Sequence, residues 1–287
     1  MNNNIIDETS IIQFEKYLIE EEKSKATIDK YIRDIKSFYK FVEDKPVTKD
    51  IVMDYKKQLK EKGYAIRSIN SMLASLNSFL DYYQLSSCKV KCFKLQKEVF
   101  CSQDKELSKE EYIRLLEASK QNQQIHLIMQ TICSTGIRVS ELEYFDIESI
   151  KQGEVNIYCK GKIRKVLIPF KLKKLLLKYA KGKEIETGIL FRDKNGNPLS
   201  RTVIWEQMKR VCKDANVNPK KVYPHNLRKL FARSFYKSEK DIAKLADILG
   251  HSSIDTTRIY IISTGLEHRK KIEQLGLVFS EKEISMT

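Results

Sequence analysis

Helical spacing of apolar residues, kept along most of the chain and exchanged once for a period of two, constrains the fold more than any other feature. From residue 8 to residue 85 apolar side chains recur three and four positions apart, the interval that lines one face of a helix. Ile11, Phe14 and Leu18 begin the pattern, and Ile28, Tyr31, Ile32, Ile35, Phe38, Tyr39 and Val42 form its longest stripe. Between Glu154 and Ile168 the period changes to two, with Glu154–Cys159 and Ile163–Ile168 alternating about a Lys160-Gly161-Lys162 turn. That is the pattern of an antiparallel hairpin. The chain is therefore expected to be mainly α with a small antiparallel β-sheet, an α+β protein.

Punctuation divides the helical part. Ser24 or Thr27 is placed to cap a second helix, Pro46 breaks the chain, Thr48 caps a third helix, Gly63 ends it, and Ile66–Tyr83 reads as a fourth. Residues 1–86 are expected to form a helical domain. Residues 87–106 lose the period and carry Lys89, Lys91, Lys94 and Lys97 against Glu98 and Asp104, which reads as a basic linker. Leu107-Ser108, with Glu111 three residues on, is a capping box that opens a second domain, 107–287. Further helices are expected over Ile125–Thr135, Lys171–Tyr179 and Ser200–Cys212, and from His225, Asp241 and Asp255. Leu190-Phe191 reads as a short strand and Trp205 as a core residue.

Composition sets the surroundings. A chain of 287 residues suits two modest domains. No apolar run approaches the roughly 20 residues of a membrane span, and the N-terminal residues have no signal-peptide pattern, so a cytoplasmic protein is expected. The six cysteines, Cys88, Cys92, Cys101, Cys133, Cys159 and Cys212, form no metal-ligand set and read as free thiols. The net charge of +15 suggests a polyanionic partner. It is uneven: the first 100 residues hold 18 basic and 15 acidic side chains, the remainder 35 and 23.

The chemistry concentrates between Val222 and Tyr260. His225, Arg228, His251 and Tyr260 combine a proton carrier, a planar phosphate-binding fork and a phenol able to act as a nucleophile. Arg138 and Glu141 lie upstream, one helical turn apart, and Lys160 and Lys162 sit on the hairpin turn. A tyrosine attacking a phosphodiester must lose its proton. Two guanidinium forks can hold the charge gathering on phosphate, and a lysine or histidine can protonate the departing oxygen. The competing reading takes IAKLADILGHSSIDTT as a helix-turn-helix in a non-catalytic DNA-binding transcriptional regulator. It leaves Arg138, Lys160 and Tyr260 without a shared purpose.

Taken in order, Thr135-Gly-Ile-Arg138-Val-Ser-Glu141-Leu, Lys160-Gly-Lys162, His225-Asn-Leu-Arg228, Leu249-Gly-His251 and Tyr260 resemble the tyrosine site-specific recombinases, the phage-integrase and Xer-type family. The likeness covers nearly the whole chain. It implies a two-domain DNA clamp, with residues 1–86 similar to the family's SAM-like core-binding domain and 107–287 to its catalytic domain. It also implies DNA cleavage and rejoining, chemistry like that of a type IB topoisomerase. Tyr260 would be the nucleophile and form a 3′-phosphotyrosyl link. Arg138 and Arg228 would bind the scissile phosphate, His225 would assist proton transfer, His251 would hydrogen-bond the phosphate, and Glu141 would orient Arg138. Lys160 would be the general acid, although Lys160 and Lys162 straddle the family position. Lys25, Arg33, Arg67, Lys91 and Lys162 are the expected DNA contacts. The partners implied are double-stranded DNA with paired recombination sites, a homo-tetramer on that DNA docked through residues from about 270 onward, and accessory DNA-bending proteins. Neither a cofactor nor a metal is implied. Lys229 and Ser149 depart from the family pattern, replacing a frequent histidine and a frequent acid.

Overall fold

Among the described residues, four α-helices build the first part of the chain: α1 Glu8–Glu20, α2 Lys25–Val42, α3 Lys49–Glu61 and α4 Ile66–Tyr82. The computed structural model describes residues 5–43, 45–95, 106–159, 162–261, 269–270 and 272–278, with Cys159 and Lys162 described by their backbone alone. Two compact units divide the chain, Met1–Lys97 and Glu98–Thr287.

In the first unit the helices start where the sequence supplies acceptors. Asp7 accepts the Ser10 backbone N–H at 2.7 Å, and Thr48 accepts that of Ile51 at 3.3 Å. Ser24 holds the cap position of α2, but its hydroxyl pairs with the Thr27 hydroxyl, 2.9 Å away, instead of with the backbone. Phe14, Leu18, Ile35, Phe38, Val52, Leu73 and Phe79 fill the core. Asp34 is buried there and ties α2 to α4. It takes the Lys30 ammonium at 3.1 Å and the Ser75 hydroxyl at 3.0 Å.

The expected linker over 87–106 begins inside this unit. A 3₁₀ turn, Ser86–Cys88, follows α4, and Cys88 and Val90 join the same core. Asn77 brackets the Val90 backbone with both ends of its amide, at 3.0 and 3.3 Å, and Asn70 does the same for Phe93 at 2.9 and 2.8 Å. Side-chain amides satisfy this backbone without regular structure, so residues 86–95 are packed chain, not a tether. Residues 96–105 lie outside the described residues.

The second unit holds α5 Lys109–Ala118, α6 Gln123–Thr135, α7 Ile147–Gln152, α8 Phe170–Gly182, α9 Arg201–Asp214, α10 Pro224–Glu239, α11 Ile242–Leu249 and α12 Ile254–Ile261. Strands β1 Glu154–Cys159 and β2 Lys162–Leu167 pair antiparallel, from Glu154 opposite Leu167 to Cys159 opposite Lys162. Mainly helical architecture with, among the described residues, one two-stranded sheet is the expected fold class. The capping box of α5 forms, Ser108 accepting from Glu111 N–H at 3.1 Å and Glu111 accepting from Ser108 N–H at 2.8 Å. Ile128, Ile132, Phe145, Ile157, Leu176, Met208 and Leu227 lie in the main core. A smaller one, Ala232, Leu245, Leu249 and Tyr260, joins α10, α11 and α12.

Three expectations are corrected. Leu190 and Phe191 are buried, but only the isolated bridges Asp146–Ile189 and Arg192–Pro198 lie beside them, so their apolar signal reflects the core and not a strand. Trp205 is 48% exposed, with the Lys209 ammonium 5.0 Å from its ring. It falls beside the buried stripe of α9, which is Ile204, Met208, Val211 and Cys212. Arg138 caps a 3₁₀ segment, Val139–Tyr144, where an α-helix was expected. Among the described residues no helix is long and apolar enough to cross a membrane, and Cys88, Cys92, Cys133 and Cys212 are free.

Candidate active site

Pro224 occupies the first turn of α10, where a missing N–H costs nothing. His225 follows it, and Arg228 comes one turn later, pointing inward with 1% of its surface exposed. Such a cation needs acceptors. Nη1 of Arg228 donates to Gly136 O at 2.5 Å, and Nη2 donates to Leu249 O at 2.7 Å and to His251 Nε2 at 2.9 Å. Both carbonyls lie at helix C-termini, those of α6 and α11, where unpaired C=O groups carry the negative end of the dipole. Burial, then the charge of Arg138, pushes the Arg228 pKa down to about 10, which still leaves it protonated at neutral pH.

Two glycines make this grip feasible. Gly136 and Gly250 cap α6 and α11 with left-handed backbones, φ +68° and +65°. A Cβ at position 136 would stand 2.4 Å from a Phe231 ring carbon, and one at 250 would stand 2.6 Å from Arg164 Cδ.

Glu141, 3% exposed, is the anion of the cluster. Oε1 accepts from Arg138 Nη1 at 2.9 Å and Arg164 Nη1 at 2.8 Å. Oε2 accepts from Arg138 backbone N–H at 2.6 Å and Arg164 Nη2 at 2.7 Å, with Arg228 Nη1 4.0 Å away. Burial alone would raise its pKa, but the Arg164 and Arg138 contacts outweigh burial and hold it below the ordinary carboxylate value.

His251 follows Gly250 directly. An arginine cannot accept, so Nε2 accepts from Arg228 and the ring proton sits on Nδ1, which donates to Thr257 Oγ1 at 2.9 Å. Burial, then the surrounding Arg228, Arg138 and Arg164 charges and His225, lowers the His251 pKa to about 4. His225 is lowered by crowding of its ring and by Lys229, Arg228 and Arg138, although part of it faces solvent. Both rings are neutral at neutral pH. Tyr260, on α12 one turn after Thr257, is 7% exposed, with ring centroids 5.1 Å from each histidine and 5.9 Å from the Arg228 guanidinium carbon.

Arg138, Glu141, His225, Arg228, His251 and Tyr260 therefore converge. Lys160 lies outside the described residues, and Lys162 opens β2 opposite Cys159. Lys25, Arg33, Arg67 and Lys91 belong to the first unit and are exposed there. Arg33 lines a groove of about 450 Å³ together with Lys30, Tyr64, Ser68 and Ser71. Among the described residues no three His, Cys, Asp or Glu side chains group as metal ligands.

Residues 105–265 match the phage integrase family, and residues 11–84 match the N-terminal SAM-like domain of phage integrases. The chain belongs to the phage integrase family. Its place among the tyrosine site-specific recombinases is also visible in whole-length likeness. It is 31% identical over 278 residues to tyrosine recombinase XerA of Pyrococcus furiosus, covering 93% of either chain. In fold it is similar to a lambda integrase dimer bound to a COC′ core site, at TM-score 0.74 and 19% identity over 91% of this chain and 96% of that one. A lambda integrase tetramer bound to a Holliday junction gives TM-score 0.71 at 20% identity, over 90% and 78%.

Two members of the cluster escaped the sequence reading. Arg164 was taken as part of an alternating strand, yet its parity with the buried Val166 and Ile168 was the available signal. An arginine on the covered face of a strand needs a carboxylate, and Glu141 is that carboxylate. Thr257, fully buried on α12, carried no comparable signal.

Proposed function

We propose that this protein is a site-specific DNA recombinase that cleaves and rejoins strands through a 3′-phosphotyrosyl link to Tyr260. The observation carrying this reading is the position of Tyr260, set against His225, His251 and Arg228 at 5.1–5.9 Å beside a cluster of three arginines. Arg138, Arg164 and Arg228 against Glu141 leave two uncompensated positive charges, which suits the dianion of a pentacoordinate phosphorane. The Nε–H of Arg228 is buried without a protein acceptor among the described residues, and a phosphate oxygen would supply one.

In the forward step the Tyr260 hydroxyl oxygen bonds to the scissile phosphorus and the bond to the 5′ oxygen breaks. The phenolic proton passes to neutral His225, and a hairpin lysine, Lys160 or Lys162, protonates the leaving 5′ oxygen. The 5′-hydroxyl of a second strand reverses the step. The phosphotyrosyl link keeps the bond energy, so rejoining needs no nucleotide cofactor.

Lys25, Arg33, Arg67 and Lys91 hold the phosphate backbone through the first unit, and the hairpin adds Lys162. The partner is double-stranded DNA with paired sites, on which four copies assemble in the cytoplasm, with accessory DNA-bending proteins as further partners. The segment from about 270 onward docks on a neighbouring copy. Ile272, Leu275, Leu277 and Val278, all exposed, supply its apolar contacts.

The test is a nicked duplex selected from a random library for covalent capture, incubated with protein in EDTA. Wild-type protein should form an adduct stable to denaturation, and Tyr260→Phe should bind the same duplex without forming one. An adduct that persists in Tyr260→Phe removes Tyr260 from the step. Sequence-specific binding with no adduct on any duplex favours the non-catalytic regulator.

A further inference from the structure

Arg164 holds the arginine cluster together while belonging to neither arginine motif of the sequence. It reaches from β2, and its side chain is 14% exposed. Both terminal nitrogens of its fork engage Glu141, one on each carboxylate oxygen, at 2.8 and 2.7 Å. With the two bonds from Arg138, these fill the four acceptor positions of the carboxylate. Glu141 is thereby fixed, and Arg138 is fixed through it by one terminal nitrogen and its backbone N–H. The other guanidinium N–H groups of Arg138 have no protein partner among the described residues, and its side chain is 37% exposed. The stem of Arg164 also fills the space beside Gly250, the cap that presents Leu249 O to Arg228 and precedes His251.

We infer that Arg164 is a positioning residue for strand cleavage. Its fork immobilises Glu141, so that Arg138 meets the scissile phosphate in one geometry, and its stem sets the turn that carries His251. Glu141 stands 4.0 Å from Arg228 Nη1. Released from Arg164, its carboxylate is free to turn onto Arg228 and compete with phosphate for that arginine. Arg164 also lies on β2, which opens with Lys162, so the same contact anchors the strand that carries this candidate lysine.

The inference rests on the recombinase reading, and the two fail in distinguishable ways. Single-turnover adduct formation on the selected nicked duplex is measured beside equilibrium binding of the same duplex by fluorescence anisotropy. Arg164→Ala should slow cleavage on the order of 100-fold, the scale of a misplaced transition-state contact, while duplex affinity stays within about threefold because both terminal nitrogens of Arg164 are committed to Glu141. Arg164→Lys keeps the charge and most of the stem but not the fork. It should melt close to wild type, which separates positioning from folding, and still cleave at least about tenfold slower. Guanidinium ion added to Arg164→Ala should restore part of the rate. Arg164 variants that cleave at the wild-type rate, or that lose rate only in step with affinity or melting temperature, overturn the inference. A wild-type protein that forms no adduct overturns the recombinase reading and this inference with it.

Discussion

Nδ1 of His251 and Oγ1 of Thr257 stand 2.9 Å apart, which couples the imidazole that faces Arg228 to the helix that carries Tyr260. In the free protein Nε2 accepts from Arg228, so the proton sits on Nδ1. To donate to a phosphate oxygen, Nε2 must carry the proton. The Thr257 hydroxyl permits that exchange because it can turn from acceptor to donor. Thr257→Val keeps the shape and removes the rotor. Loss of this hydrogen bond to the half-buried imidazole should cost about 1 kcal/mol, seen as a lower melting temperature. Cleavage should slow, and Thr257→Ser should recover both measurements.

The lowered histidine pKa values fix the sign of an acid effect. In the unfolded chain these imidazoles protonate near about 6.5, whereas folded His251 protonates near about 4 and folded His225 below its ordinary value. Between those limits the unfolded state binds more protons, so the stability from keeping the rings neutral is whole above about pH 6.5 and drains as pH falls toward 4. Urea midpoints measured from pH 7 to pH 4.5 should fall for the wild type and fall less for His251→Gln. The cleavage rate should show an acid limb that His225→Ala abolishes along with most of the rate.

Gly250 answers to two constraints, and a double-mutant cycle separates them. Gly250→Ala places a Cβ 2.6 Å from Arg164 Cδ and puts alanine at φ +65°. The backbone part alone should cost about 1–2 kcal/mol. Adding Arg164→Ala should remove the steric part and leave the backbone part, a coupling readable from urea denaturation of the four proteins. Strict additivity would show that the side chain of Arg164 does not restrict this turn.

Lys160 and Lys162 can be told apart by the leaving group. A 5′-bridging sulfur departs as a thiolate and needs little help from an acid. Alanine at the proton-donating lysine should slow cleavage of the ordinary duplex about 10²- to 10⁴-fold and be rescued on the sulfur-containing duplex. Alanine at the other lysine should slow both alike.

How far the sequence reaches is clear from particular residues. Helix starts at Thr48, Ser108, Ser200 and Asp241 each have an acceptor on a backbone N–H, a local rule read directly from residue type. Arg138, Arg228, His251 and Tyr260, which the fold brings together, were legible as candidates because their chemistry is distinctive. Arg164 and Thr257 act through partners 23 and six residues away, and only the folded chain selects those partners. The packing of Cys88 to Phe93 was hidden for the same reason, since it depends on asparagine side chains of α4.

Arg228 binds two backbone carbonyls from separate helix ends while lying almost wholly buried. The group proposed to hold the scissile phosphate is therefore also a rivet of the second unit. Its loss would register first as misfolding and only then as lost chemistry. A chain that gave up catalysis but went on binding DNA could exchange Tyr260 for phenylalanine and keep the small core its ring fills, yet would have to keep Arg228. An inactive protein meant to trap DNA without cleavage is accordingly better made at the phenol than at the guanidinium.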